Sequence, residues 1–247
     1  MLFRSARLGQ AGAGLSEARR RALNRKLVES ERRLTAADGF ALDAFHASAG
    51  SDRVGSLVIL QEIFGLTDQL KSVARYFARN GFDAIVPSLM DRAAPGTVVP
   101  FDQPDRAREL MTSIPLDAML RDTAAAVREV DRGGGVVALG FCLGGGLALR
   151  AACEFPLAGA VSYYGTRLGS YLDKAPRCPV LFHFGATDTH SPPEVIEAVR
   201  KAIPSAETHI YPVGHAFAND ARSTYVKDAA ELAHARTLEF LRRVCAR

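Results

Sequence analysis

The sequence predicts an α/β protein whose mainly parallel, doubly wound sheet is covered by helices on both faces, and three observations predict it. From Leu57 onward, short strands that are apolar throughout alternate with amphipathic helices, a pattern suited to a sheet buried on both sides. The chain has 247 residues, 48% of them hydrophobic, enough for one substantial core. No internal repeat, low-complexity tract or linker divides it, so a single domain is expected over residues 29–247.

The elements follow in order. RRLTAADGFALDAFHAS reads as two short strands around an Asp38-Gly39 turn, the hairpin that opens a mixed sheet. SLVIL is a buried strand, and DQLKSVARYFARNG is a helix that Thr67 or Asp68 can cap and Gly81 can end. FDAIVP is the next strand, followed by a long loop from Ser88 to about Pro104. LDAMLRDTAAAVREV has helical spacing, VVALG is a strand, LGGGLALRAACE a helix and AGAVSYYG another strand. PVLFHFG, the helix PEVIEAVRKAI, the strand THIYP and a closing helix from about Arg222 to Val244 complete the series. Connections between the parallel strands should be right-handed.

Charge and cysteine content exclude several classes of function. Residues 1–26 carry six net positive charges, so of the chain's formal +4 the remainder carries about −2, and no nucleic-acid footprint is expected on the body. Residues 1–28 are expected to be a disordered or loosely helical extension. That reading includes an upstream start codon; a mitochondrial targeting segment is the alternative, whereas the apolar h-region of a secretory signal is missing. No apolar run reaches the roughly 18 residues of a membrane span. Cys142, Cys153, Cys178 and Cys245 lack C-x-x-C spacing, which argues against a zinc site or a disulfide framework and for a reducing compartment, the cytoplasm.

Chemistry concentrates in VVALGFCLGGG. Gly140 and Gly144 flank Cys142 where a strand becomes a helix, matching the G-x-nucleophile-x-G elbow. The glycines are required because strand and helix converge there, and the helix N-terminus favours a thiolate. The bland reading is a buried small cysteine. A phosphate cradle is disfavoured, because neither the G-x-G-x-x-G order nor a P-loop lysine is present. A thiol needs a base and a group to orient it. Asp188 follows the strand PVLFHFG and His215 follows THIYP, both at the ends of strands where open parallel sheets place their sites. His183 and His209 fall inside strands, and His190 lies too close to Asp188 in sequence to pair with it easily.

With these residues in view, LVILQEIFGL, PSLMDRAAPGT, GFCLGG, SYYG, LFHFGATDTHSP and GHAFAN resemble, in order, the dienelactone hydrolase (carboxymethylenebutenolidase) family, from about Arg33 to the C-terminus. The resemblance implies an α/β-hydrolase fold with Cys142 as nucleophile, His215 as base and Asp188 as orienter. It implies oxyanion donors on the backbone of Ile63 and Leu143. Glu62 resembles the family's buried glutamate that contacts the resting thiol, its alternative being a structural carboxylate. Arg92 matches a carboxylate-binding arginine, its alternative being a solvated loop residue, and Tyr164 is expected at the pocket wall. Two positions depart from the family pattern: Ala216 replaces a serine, and Asn219 stands where a second carboxylate-binding arginine is found.

The expected activity is hydrolysis of a small lactone or ester, with or without a substrate carboxylate, through a cysteine acyl-enzyme. No metal and no cofactor are expected. Partners beyond the small-molecule substrate are not expected, and the chain should be a monomer or weak homodimer that binds neither nucleic acid nor membrane. The competing readings are a carboxylesterase for neutral esters or thioesters, and a non-catalytic stress or binding protein with a redox-sensitive thiol.

Overall fold

Strands β3 (Gly55–Leu60), β4 (Phe82–Pro87), β5 (Val136–Phe141), β6 (Gly159–Tyr163) and β7 (Val180–Gly185) are buried at every position, as their unbroken apolar runs require. The computed structural model describes residues 27–245. The hairpin strands β1 (Val28–Thr35) and β2 (Ala41–Ser48) and the last strand β8 (Glu207–Tyr211) complete one eight-stranded sheet, ordered β1-β2-β4-β3-β5-β6-β7-β8. β1, β2 and β4 pair antiparallel, and every neighbouring pair from β4 to β8 is parallel.

Among the described residues, six helices cover the sheet: α1 (Asp68–Arg79), α2 (Pro104–Thr112), α3 (Leu116–Val130), α4 (Leu143–Glu154), α5 (Pro193–Ala202) and α6 (Lys227–Cys245). Thr67 caps α1 by accepting a hydrogen bond from the Leu70 amide at 3.3 Å, and Gly81 follows the helix with φ +97°. Two apolar clusters lie on opposite sides of the sheet. Leu57, Ile59, Val137 and Leu139 point into one, with α1 and α6; Val58, Leu60, Val136 and Ala138 point into the other, with α2, α3 and α4.

Three boundaries differ from the sequence expectation. β1 begins at Val28, because the alternating charges of Val28–Thr35 line an exposed edge strand whose partner β2 carries the apolar side chains. The remainder of the expected extension, residues 1–26, lies outside the described residues. The segment after the Ser88 loop forms α2, which buries only Ala107 and Met111 and so gives a weak apolar period. The closing helix starts at Lys227, not near Arg222. Hydrogen bonds from Arg222 N to Asn219 O at 3.0 Å and from Val226 N to Phe217 O at 3.0 Å hold the preceding segment as a turn.

Beneath α6 runs a buried polar chain. His183 bonds Tyr211 Oη and Thr237 Oγ1, each at 2.9 Å, and Thr237 Oγ1 shares a 2.6 Å hydrogen bond with Tyr163 Oη. His183 and His209 thus lie in strands, with His183 tied into the core. His234 packs its ring against Tyr76, Phe77 and Tyr163, and its Nε2 is buried without a partner. Burial pushes His234 down to about 4 from an ordinary 6.5. The unfolded chain therefore binds this proton more readily, so the stability contribution is complete above pH 6.5 and is lost as pH falls toward 4. His234→Phe should reduce the acid-induced fall in Tm between pH 7 and pH 4 by several degrees, on the order of 2–3 kcal/mol. Parallel Tm-against-pH curves for the two proteins would show that His234 does not titrate this way.

Candidate active site

Cys142 occupies the turn between β5 and α4 with φ 53° and ψ −115°, a conformation that costs a non-glycine residue about 1–3 kcal/mol. Hydrogen bonds on both sides hold it there. Its N–H donates to Tyr163 O at 3.0 Å, and its carbonyl accepts from Gly145 N at 3.0 Å, Thr166 N at 2.9 Å and Gly146 N at 3.3 Å. The flanking glycines are steric necessities. A Cβ on Gly140 would collide with the Gly144 carbonyl, and one on Gly144 would collide with the Leu60 carbonyl. This contact brings the end of β3, and with it the loop carrying Glu62 and Ile63, against the first turn of α4. The Leu143 N–H is the first of the helix and has no intrahelical acceptor, and the helix dipole puts partial positive charge beside the sulfur.

Asp188 and His215 follow the ends of β7 and β8. His215 Nδ1 meets Asp188 Oδ2 at 2.7 Å, and Asp188 Oδ1 accepts the His190 amide at 2.8 Å, so both oxygens of this buried carboxylate are engaged. Backbone hydrogen bonds from Ala186 to Tyr211 and from Thr187 to Val213 tie the two loops together. Gly185 permits that approach, since a Cβ there would lie 2.6 Å from Val213 O. Tyr164 packs edge-on against the imidazole at 5.1 Å and His190 at 4.6 Å. Burial alone would lower the His215 pKa, but hydrogen bonds with Asp188 and Cys142 and the charges on both outweigh it and raise the group to about 10. The imidazole therefore holds its proton at neutral pH while it faces the sulfur.

Glu62 is buried with a donor on each oxygen: Tyr164 Oη at 3.1 Å and Asn219 Nδ2 at 3.2 Å. Desolvation pushes its pKa up, against the pull of His215, Arg222 and these two donors. Asn219 and Tyr164, expected to meet substrate, are themselves buried and turned onto Glu62. Their polar atoms hold that carboxylate in place. Gln61 is a site residue that the sequence reading passed over. Fully buried, it donates from Nε2 to Glu62 O at 3.2 Å and accepts the Leu89 amide at 2.9 Å, latching the oxyanion loop to the turn after β4. A glutamine directly after an apolar strand was the available signal.

A sequence profile of the dienelactone hydrolase family matches residues 42–245, nearly the whole described chain. The chain belongs to the dienelactone hydrolase family. It is 35% identical to a carboxymethylenebutenolidase of Pseudomonas putida over 217 residues, covering 83% of this chain and 92% of that protein. It is 29% identical to carboxymethylenebutenolidase 1 of Cupriavidus pinatubonensis, covering 84% and 94%. A crystal structure assigned as a dienelactone hydrolase from Klebsiella pneumoniae superimposes with a TM-score of 0.78 at 28% identity, covering 87% of this chain and 98% of that one. The α/β-hydrolase architecture is thus that of the family.

Arg92, which matches a position of the dienelactone hydrolase pattern, meets two carboxylates of this chain. Its Nε and Nη2 each bond the buried Asp122 at 2.8 Å, its Nη1 lies 3.0 Å from Asp38, and its plane covers the Phe40 ring. This fork, expected to bind a substrate carboxylate, ties the hairpin turn to α3. The three other thiols are all pushed up by burial, Cys178 and Cys245 to about 11. None of the three sits at an elbow. Among the described residues, no helix is long and apolar enough to cross a membrane.

Proposed function

We propose that this family member hydrolyses small lactones or esters through a thioester acyl-enzyme on Cys142. One observation carries the reading: Cys142 stands at a strained elbow, and Asp188 holds the His215 imidazole at 2.7 Å beside it. Thiolate attacks the ester carbon, forming the C–S bond, and the carbonyl electrons move onto oxygen. The N–H groups of Leu143 and Ile63 receive that oxyanion. Collapse breaks the C–O bond, and the departing alkoxide takes the proton from His215 Nε2. Acylation also removes the thiolate charge that had helped to raise the His215 pKa. The neutral imidazole can then take a proton from water, whose attack on the thioester releases the acid and regenerates the thiolate.

Glu62, held by Tyr164 and Asn219, takes up or returns a proton as charge changes around the pocket. The scheme uses no metal or organic cofactor. Four unpaired cysteines suit a reducing compartment such as the cytoplasm. An oriented imidazole is unnecessary in a binding or stress protein, which places that alternative second. The test is a rapid-mix experiment with a chromogenic acyl ester. A burst of leaving group equal to the enzyme concentration is expected, together with an acyl mass on the Cys142 peptide after acid quench. Turnover with the acyl group trapped on another residue would overturn the reading.

A further inference from the structure

His183 is fully buried and absent from the chemistry above, yet it hydrogen-bonds, directly or through one hydroxyl, to residues that lead to Cys142, His215 and Glu62. Its Nδ1 meets Tyr211 Oη and its Nε2 meets Thr237 Oγ1, each at 2.9 Å, and Thr237 Oγ1 shares a 2.6 Å bond with Tyr163 Oη. Tyr163 Oη is buried with that one partner among the described residues, so it must donate its proton there or leave a buried donor unpaired. Thr237 then donates to His183 Nε2, and His183 donates from Nδ1 to Tyr211. Burial keeps the imidazole neutral by pushing its pKa well below the usual histidine range, as this one-way chain requires.

Each member of the chain also grips backbone that carries the site. Tyr163 O accepts the Cys142 N–H at 3.0 Å, inside the strained elbow, and the Tyr163 ring lies 4.8 Å from that of Phe141, the residue before Cys142. Tyr211 O accepts Ala186 N at 2.7 Å and Val213 N at 2.8 Å, at the roots of the loops that bear Asp188 and His215. The His183 carbonyl accepts Tyr164 N at 2.8 Å. Tyr164, at φ 37°, in turn reaches Glu62 at 3.1 Å and packs on the His215 ring at 5.1 Å.

We propose that His183 is a positioning residue, which fixes the spacing of Cys142 and His215 through Tyr163 and Tyr211. Hydrogen bonds weaken steeply with distance and angle, whereas apolar packing is non-directional, so this cluster sets the separation of β6, β7 and β8 more closely than the core around it can. Thr237 brings α6 into the same arrangement and ties the closing helix to the strand beneath the elbow. A misplacement of about 1 Å at the reacting groups can cost on the order of a hundredfold in rate, so a cluster that never touches substrate still governs turnover.

This role rests on the ester-hydrolase reading, and the experiment separates the two. Thr237→Val keeps the shape of the side chain and removes the link between Tyr163 and His183, Thr237→Ser keeps the hydroxyl, and Tyr211→Phe removes the other hydrogen bond of His183. For a small chromogenic ester, kcat should fall about tenfold or more in Thr237→Val and Tyr211→Phe with KM within about twofold, and Thr237→Ser should recover most of the loss. A cluster that only stabilises the fold would lower Tm and leave the folded enzyme's turnover intact. Wild-type kcat in either Thr237→Val or Tyr211→Phe would therefore overturn the proposal, as would equal losses in Thr237→Val and Thr237→Ser. The titration of His215, followed by NMR in the resting proteins, needs no turnover. Its pKa of about 10 depends on hydrogen bonds with Asp188 and Cys142, so a looser pair should lower it in Thr237→Val, and Thr237→Ser should restore it. Asp188, Cys142, Tyr164 and His190, which face the ring, and Glu62, which feels its charge, are the same in both variants. That shift supports His183 even if the hydrolytic reading fails, and identical titrations in wild type and Thr237→Val reject it.

Discussion

Cys142→Ala is expected to lower kcat/KM for a small ester by roughly 10⁴-fold or more, because it deletes the proposed nucleophilic sulfur. The comparison is clean at the backbone. Alanine and cysteine bear the same Cβ at φ 53°, so the strain of the elbow is unchanged and the fold should persist with a similar Tm. Alanine at Cys153, Cys178 or Cys245 should leave turnover within about twofold, since each of these thiols is pushed up by burial and remote from His215 in the hydrogen-bond network. Their cost should appear instead as stability. Cys245 packs its sulfur against Gly55 and should show such a loss clearly in a thermal melt. Near-normal hydrolysis by Cys142→Ala would remove the nucleophile assignment altogether.

Asp188→Asn should cut turnover by about 10³–10⁴-fold and also change the shape of its pH profile. Hydrogen bonding and charge from Asp188 help to raise His215 to about 10, so the free enzyme keeps its imidazolium until well above neutrality. kcat/KM should accordingly hold to about pH 9 and decline as His215 loses its proton. Without the carboxylate the charged imidazole loses a stabilising partner, its pKa falls, and the alkaline limb should move toward neutral pH. The His190 amide also loses its acceptor's full charge, but that bond affects loop position and not the direction of the limb. A profile of unchanged shape, merely scaled down, would show that Asp188 orients the ring without tuning its proton.

Much of the site could be read in the chain because its logic is local. The strand–turn–helix passage at Cys142 is marked by Gly140 and Gly144, and both glycines prove to be points where backbone meets backbone. Asp188 and His215 stand immediately after apolar strands, and the parallel pairing of β7 with β8 brings those two ends together. α2 was missed for a reason of the same kind, since a helix burying Ala107 and Met111 alone carries little apolar period.

By itself the sequence determined the order of strands and helices, the elbow, and the placing of Cys142, Asp188 and His215 at strand ends, because each depends on residue types spaced within one or two turns of backbone. Tertiary structure decided which polar group each side chain satisfies. Asn219 reaches Glu62 across 157 positions, Tyr164 reaches it across 102, and Arg92 spends its fork on Asp122, 30 residues away. These choices depend on a buried donor or acceptor taking whatever partner the packed interior places within about 3 Å, since leaving it unpaired costs about 1–3 kcal/mol. No periodicity along the chain encodes that.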